Sequence, residues 1–390
     1  MRAAWIGMSA LALLGCTPAE RAAAPAQAPA PVAAADEARL RQASAAVLFW
    51  SPEERLRNFP AMERIFPGNV VKAGRRVRPL PDGAPLPLPK DEIDAFMAAQ
   101  NVAGLIVVQD GKVRLERYAL GYSREGRWTS FSVAKSVTST LVGAAIRDGY
   151  IKSLNDPVTR YIPDLAGGGY DGVTVRQILT MTSGVRLNED YTDPNSDVAR
   201  MFAEAVPAGM DPTVAYMRKL PRVDPPGAKF VYKTGETNLI GVLVRRATGR
   251  KLADYLSEKV WKPAGMERDA FWMTDQTGAE VSGCCLSVSL RDYARIGLLT
   301  LEGGKGIVPE GWFADATRTH VTFPGGGYGY QWWTFPGGYA AQGIFGQAIL
   351  VDPANRIVIA ISSAWPKASD RELSQARLAF AMKVQAAARR

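Results

Sequence analysis

The chain has 390 residues, 47% apolar and 22% charged, which is enough to bury a core and too little charge for a disordered polymer. Its single histidine, His320, excludes multi-histidine metal centres and leaves at most one Ser-His-Asp triad, which no Gly-x-Ser-x-Gly supports. Three cysteines cannot build a disulfide framework or a four-thiolate site, and the net charge of +9 is densest at Lys72, Arg75, Arg76 and Arg78, a Pro/Gly-rich stretch without aromatics that reads as a solvated loop, not a nucleic-acid patch.

Arg2 and a short apolar run over residues 5–14 read as a signal peptide, too short to span a bilayer core of ~30 Å. Leu13-Leu14-Gly15-Cys16 resembles the lipobox of bacterial lipoproteins. That resemblance implies a signal over residues 1–16, lipidation at Cys16 and an exported, membrane-anchored protein; an ordinary secretory signal with Cys16 incidental is the alternative. Residues 17–40, rich in Ala and Pro, are expected to form an extended tether, and 41–390 the folded domain.

Residues 40–100 read as helical and then irregular, with a helix over 91–100. The run VAGLIVVQD (102–110), an Asp110-Gly111 turn and VRLERYAL (113–120) predict a hairpin. Residues 132–150 are apolar on most sides and predict a buried central helix. Between about 150 and 270, turn signals separate helical patterns, which predicts a mostly helical insertion. From about 325 strands return as YGYQWWTF, YAAQGIFGQAILVD and RIVIAISSAW, and a helix over 369–388 closes the chain. Strands at both ends with helices between imply an α+β fold, an antiparallel sheet assembled from distant segments and flanked by helices.

Among the serines only Ser132 is followed three positions later by Lys, so Lys135 lies one helical turn on, on the same face. Burial lowers a lysine pKa and lets the amine take the serine proton, and the Ser132 N–H at the helix start is free to meet an oxyanion. An N-cap serine with a surface lysine is the alternative. Tyr232, after Pro225-Pro226-Gly227, is a candidate proton shuttle, a phenol that a neighbouring lysine ammonium would let deprotonate at accessible pH, and otherwise a core tyrosine. Gln342-Gly343-Ile344 reads as strand in which glycine admits a ligand to the backbone, with the Ile344 N–H as a second oxyanion donor; a bulge is the alternative.

These motifs, with FSVAKSVTSTLVGAAI, ILTMTSGVRLNEDYTDP, PPGAKFVY and GQAILVDPANRIVIAISS, resemble the serine β-lactamase and penicillin-binding-protein superfamily over roughly residues 90–390. The similarity is greatest to its esterase and amidase branch, that of 6-aminohexanoate-dimer hydrolases. It implies a β-lactamase/transpeptidase-like fold and a serine hydrolase of esters or linear amides that needs no metal or organic cofactor. Ser132 would be nucleophile, Lys135 its proton acceptor, Tyr232 the acid/base, and the N–H groups of Ser132 and Ile344 the oxyanion hole; Tyr191, Gln342 and Gly343 would contact substrate. A D,D-peptidase, a weak β-lactamase, or a non-catalytic penicillin-binding-like receptor are the alternatives. Three departures stand out: Ala341-Gln342-Gly343 replaces the usual closing-strand motif, Lys233-Thr234-Gly235 reads as a coincidental match to it, and Thr234 stands where relatives often carry Asn. Cys284 and Cys285, which as neighbours could join only in a strained ring disulfide, are expected instead to be two buried small side chains, and His320 matches no catalytic position.

Overall fold

Residues 34–207 and 209–389 are described by a computed structural model. Twelve strands follow in chain order: β1 (Gly68–Val71), β2 (Val102–Gln109), β3 (Lys112–Tyr118), β4 (Trp128–Thr129), β5 (Ala270–Met273), β6 (Leu286–Val288), β7 (Val321–Phe323), β8 (Gly326–Tyr328), β9 (Trp333–Phe335), β10 (Gly338–Gln342), β11 (Ala348–Asp352) and β12 (Ile357–Ser363). Six helices have ten residues or more: α1 (Ala34–Ala46), α2 (Lys90–Ala99), α3 (Val133–Arg147), α4 (Thr234–Thr248), α5 (Leu290–Leu301) and α6 (Arg371–Ala388).

The predicted hairpin is β2–β3, and its two turn residues, Asp110 and Gly111, both take positive φ, +50° and +76°. That is the turn whose twist matches flanking strands, and Asp-Gly tolerates it best. β2 then pairs with β12, from the far end of the chain, to give an eight-stranded antiparallel sheet in the order β3-β2-β12-β11-β10-β9-β8-β7. Side-chain alternation splits its faces. Leu105, Val107, Ile357, Ile359 and Ile361 point toward α2 and α6, where Phe96 and Phe380 stack at 3.8 Å between centroids. Ala103, Ile106, Val108, Val358 and Ala360 point the other way, into the main core with α3 and α5. This is the α+β architecture expected, and residues 150–261 carry helices and turns but no strand among the described residues.

Four expectations need correction. A second, four-stranded sheet, β1-β5-β6-β4, is not among the predicted elements; its strands are two to four residues long, and β1 and β4 find their partners far along the chain, as Gly68 does with Met273 and Trp128 with Val288, so no local alternation betrays them. YAAQGIFGQAILVD is not one strand but β10 and β11 joined by a turn, because Phe345 (φ +59°) and Gly346 (φ +92°) reverse the chain. YGYQWWTF likewise divides into β8 and β9. Residues 34–40, assigned to the extended tether, begin α1, with Asp36 and Glu37 complementing its N-terminal dipole. Cys16 and the rest of the signal and tether lie outside the described residues.

No described helix is long and apolar enough to cross a membrane. Within the basic loop, Lys72 and Arg78 pair with Asp269 and Glu302.

Candidate active site

Helix α3 is buried along nearly its whole length, wedged between the sheet and α4, and its N-terminus points at a cleft of about 420 Å³. Ser132 is its N-cap residue, yet its hydroxyl makes no capping bond. That oxygen instead accepts a hydrogen bond from Lys135 Nζ at 3.1 Å. Lys135 is 1% exposed and Ser132 8%, so neither is the capping serine or surface lysine of the alternative reading.

Lys135 Nζ is also held by Thr234 Oγ1 at 3.0 Å and the Gly283 carbonyl at 2.7 Å. Burial disfavours its ammonium form and brings its pKa down to about 7, while the negative Glu189 opposes the shift. At neutral pH a large share of Lys135 is therefore unprotonated amine. Glu189 anchors this cluster: it accepts from the Thr234 N–H at 2.9 Å, at the start of α4 where the helix dipole favours a carboxylate, from the Thr234 hydroxyl, and from Tyr191 Oη at 2.9 Å.

Tyr232 lies flat against Trp333 at 5.4 Å, with Lys135 Nζ 5.3 Å from its ring centroid. Although part of the ring faces the cleft, burial of its hydroxyl pushes the pKa far above the ordinary phenol; Ser132 hydrogen bonding lowers it and Glu189 raises it further. The expectation that a neighbouring ammonium deprotonates this phenol is thus corrected. The amine lies over the ring face, is itself half neutral near pH 7, and leaves Tyr232 a proton donor.

Gln342, Gly343 and Ile344 end β10 and enter the turn beside Ser132. A Cβ at Gly343 would stand 2.6 Å from the Ser130 carbonyl oxygen and 3.1 Å from the Ser132 nitrogen, so only glycine permits this approach. The segment is pinned through aromatic packing of Phe59, Phe131 and Phe345, with centroids 5.0–5.5 Å apart. No hydrogen bond of the described residues uses the Ser132 or Ile344 N–H.

The structure therefore brings Ser132, Tyr191, Tyr232, Gln342, Gly343 and Ile344 to one cleft, with Lys135 behind Ser132. Sequence reasoning missed Glu189, two residues before Tyr191 in the same motif, and Trp333. It noted Thr234 only as a departure; Thr234 bonds both Lys135 and Glu189, whereas Lys233 turns inward to pair with buried Glu236 at 3.4 Å. It also missed Arg377 of α6, which lines the cleft wall. Cys284 and Cys285 are corrected as well: they are joined by a disulfide, Cys285 taking φ +68° as the chain turns into β6, and they border a small apolar recess beside Ser132. His320 does not line this cleft; its ring is bonded to the Asp315 carbonyl at 2.9 Å and stacked on Tyr330. Among the described residues no cluster of His, Cys, Asp and Glu is arranged to hold a metal.

The Beta-lactamase family model matches residues 90–382. Over 292 residues, 68% of this chain and 73% of the relative, the sequence is 34% identical to the 6-aminohexanoate-dimer hydrolase of Paenarthrobacter ureafaciens. It is 23% identical over 184 residues to a beta-lactamase of Pseudomonas fluorescens, covering 45% of this chain and 48% of that protein. Among solved structures, a Bacillus anthracis protein named as a 6-aminohexanoate-dimer hydrolase superposes with a TM-score of 0.75 over 84% of this chain and 93% of that one, at 24% identity. EstCE1, a hydrolase with promiscuous acyltransferase activity, superposes at 0.60 over 76% and 97%, at 16% identity.

Proposed function

The chain belongs to the beta-lactamase family of serine hydrolases, of the 6-aminohexanoate-dimer hydrolase type, and we propose that it cleaves esters or linear amides through an acyl-enzyme on Ser132. The observation that carries this reading is Lys135: a buried amine, brought down to about 7, within 3.1 Å of the Ser132 hydroxyl. Lys135 takes the hydroxyl proton as Oγ attacks the substrate carbonyl. The oxyanion lies between the N–H groups of Ser132 and Ile344, two donors with no competing partner. Tyr232, held as phenol, gives its proton to the leaving oxygen or nitrogen and regains one from Lys135. Water then enters, the same groups return its proton, and the acid departs. Tyr191, Gln342 and Gly343 line the cleft where the substrate lies. Linear substrates are favoured over β-lactams because β10 offers Ala341-Gln342-Gly343, with no side chain equivalent to the usual closing-strand lysine or histidine.

Hydrolysis of a short-chain p-nitrophenyl ester tests the scheme. Ser132→Ala is expected to abolish it, and unchanged turnover by that variant would refute the mechanism. Rapid nitrocefin or muropeptide cleavage alongside slow ester cleavage would favour the D,D-peptidase or β-lactamase reading instead. We further propose that the enzyme is exported and anchored through a lipid on Cys16; globomycin is expected to accumulate the larger precursor, and no change in precursor size would favour simple secretion.

A further inference from the structure

To act as a base Lys135 must be unprotonated, and its lone pair must also face Ser132. Two of its three partners impose that orientation. The Gly283 carbonyl, at 2.7 Å, can only accept, and the Thr234 hydroxyl, at 3.0 Å, already gives its own hydrogen to Glu189. A neutral amine has two hydrogens, and donating them to these two oxygens leaves its lone pair toward the Ser132 hydroxyl. The Gly283 carbonyl is therefore one of two groups that aim the base.

That carbonyl directly precedes the Cys284–Cys285 disulfide, whose bond closes a small ring around the peptide link between the two residues. The ring holds Cys285 at φ +68°, a left-handed backbone that a non-glycine residue seldom keeps unless its surroundings fix it. On its other side Gly283 is clamped: its N–H donates to Asn238 Oδ1 at 2.7 Å, and a Cβ there would stand 2.8 Å from Thr234 Cγ2. The hydrolytic scheme makes no use of the two sulfur atoms. Cys284 is nevertheless half-buried and borders the recess shared with Ser132 and Ile344, open to a small thiol.

We propose that the Cys284–Cys285 disulfide positions the catalytic base by holding the Gly283 carbonyl on Lys135 Nζ, and that a dithiol reductant disables the enzyme by opening it. This rests on the hydrolase reading above. One thiolate of the dithiol attacks a cysteine sulfur and the S–S bond breaks; its second thiol then displaces that cysteine. Two electrons and two protons pass to Cys284 and Cys285, which become thiols, and the reductant leaves as a cyclic disulfide. Freed of the ring, Cys285 relaxes from its positive φ and carries the Gly283 carbonyl off Lys135.

Hydrolysis of p-nitrophenyl butyrate by the full-length enzyme, before and after dithiothreitol, tests this, with peptide mass spectrometry reading the state of Cys284 and Cys285. Reduction is expected to lower kcat by about tenfold or more, the scale of a misplaced catalytic group, and reoxidation to restore it. Cys284→Ala combined with Cys285→Ala is expected to show the same loss and no response to dithiothreitol. Its acid limb in kcat/KM is expected below about 7, because the lost carbonyl no longer favours the ammonium. Cys284→Ala combined with Cys285→Gly, whose glycine accepts the positive φ, is expected to recover part of the activity; it and the reduced wild-type enzyme supply the same readings if the first variant does not fold. Full activity with both thiols free overturns the proposal, as does a loss of activity with an unmoved acid limb, which would leave the disulfide a purely structural role. Ester hydrolysis that survives Ser132→Ala would instead overturn the acyl-enzyme reading, so the two failures are distinct.

Discussion

A lysine is a base only while it lacks its proton, and Lys135 reaches that state near pH 7 because burial strips water from its ammonium form, a cost that the nearby Glu189 offsets only in part. Below that pH it is ammonium and cannot take the Ser132 proton; above it the amine is free, and Tyr232, raised far above its usual range, stays protonated. The activity, kcat/KM, is therefore expected to rise with pH through about 7 and to stay level into the alkaline range. An imidazole ordinarily titrates at about 6.5, and burial lowers that of His320, so His320→Gln is the deciding control: the same acid limb is expected in that variant, and its disappearance would mean that histidine, not Lys135, supplies the base. Lys135→Ala and Tyr232→Phe are each expected to lower kcat by about a hundred- to ten-thousandfold, with the double variant little worse than either, because such groups act as a unit. Ser132 and Lys135 were legible in the sequence because their spacing fixes one helical turn. Glu189 and Thr234 were not assigned because their roles arise only when a loop meets the start of α4, a tertiary event with no local spacing.

Elements matter here by how closely their backbones approach. β10 and its turn lie against residues 130–132 with only glycine between them, so Gly343→Ala introduces a carbon 2.6 Å from the Ser130 oxygen and must push the Ile344 N–H away from Ser132. That variant is expected to lose at least about tenfold in kcat and about 1–3 kcal/mol of stability, measured by ester hydrolysis and denaturant unfolding. Normal activity would show that the turn does not form the oxyanion site. Glycine in this run signalled a close approach, but the turn itself was hidden. Phe345 takes a positive φ that its residue type does not advertise, and the strand-forming residues on either side read as continuous.

At the scale of the whole molecule, the first hairpin and the last strands form one sheet, which α6 covers on its outer face while carrying Arg377 to the cleft. Phe380 of α6, stacked on Phe96, is expected on truncation to alanine to cost about 3–5 kcal/mol in equilibrium unfolding; a change below 1 kcal/mol would show that α6 is not needed to cover the sheet. The sheet was legible because apolar, β-branched runs bounded by turn residues recur in β2, β11 and β12, with alternation in β3. The smaller sheet was not, since strands as short as Trp128–Thr129 exist only through their partners. The vicinal disulfide also depends on a backbone turn that composition does not show. The account as a whole stands on Ser132 as the nucleophile. Intact-protein and peptide mass spectrometry after treatment with a fluorophosphonate tests this most directly: one adduct on the peptide containing Ser132 in the wild-type enzyme, and none in Ser132→Ala, is the predicted result, whereas an adduct on another residue, or equal labelling of both proteins, would contradict it.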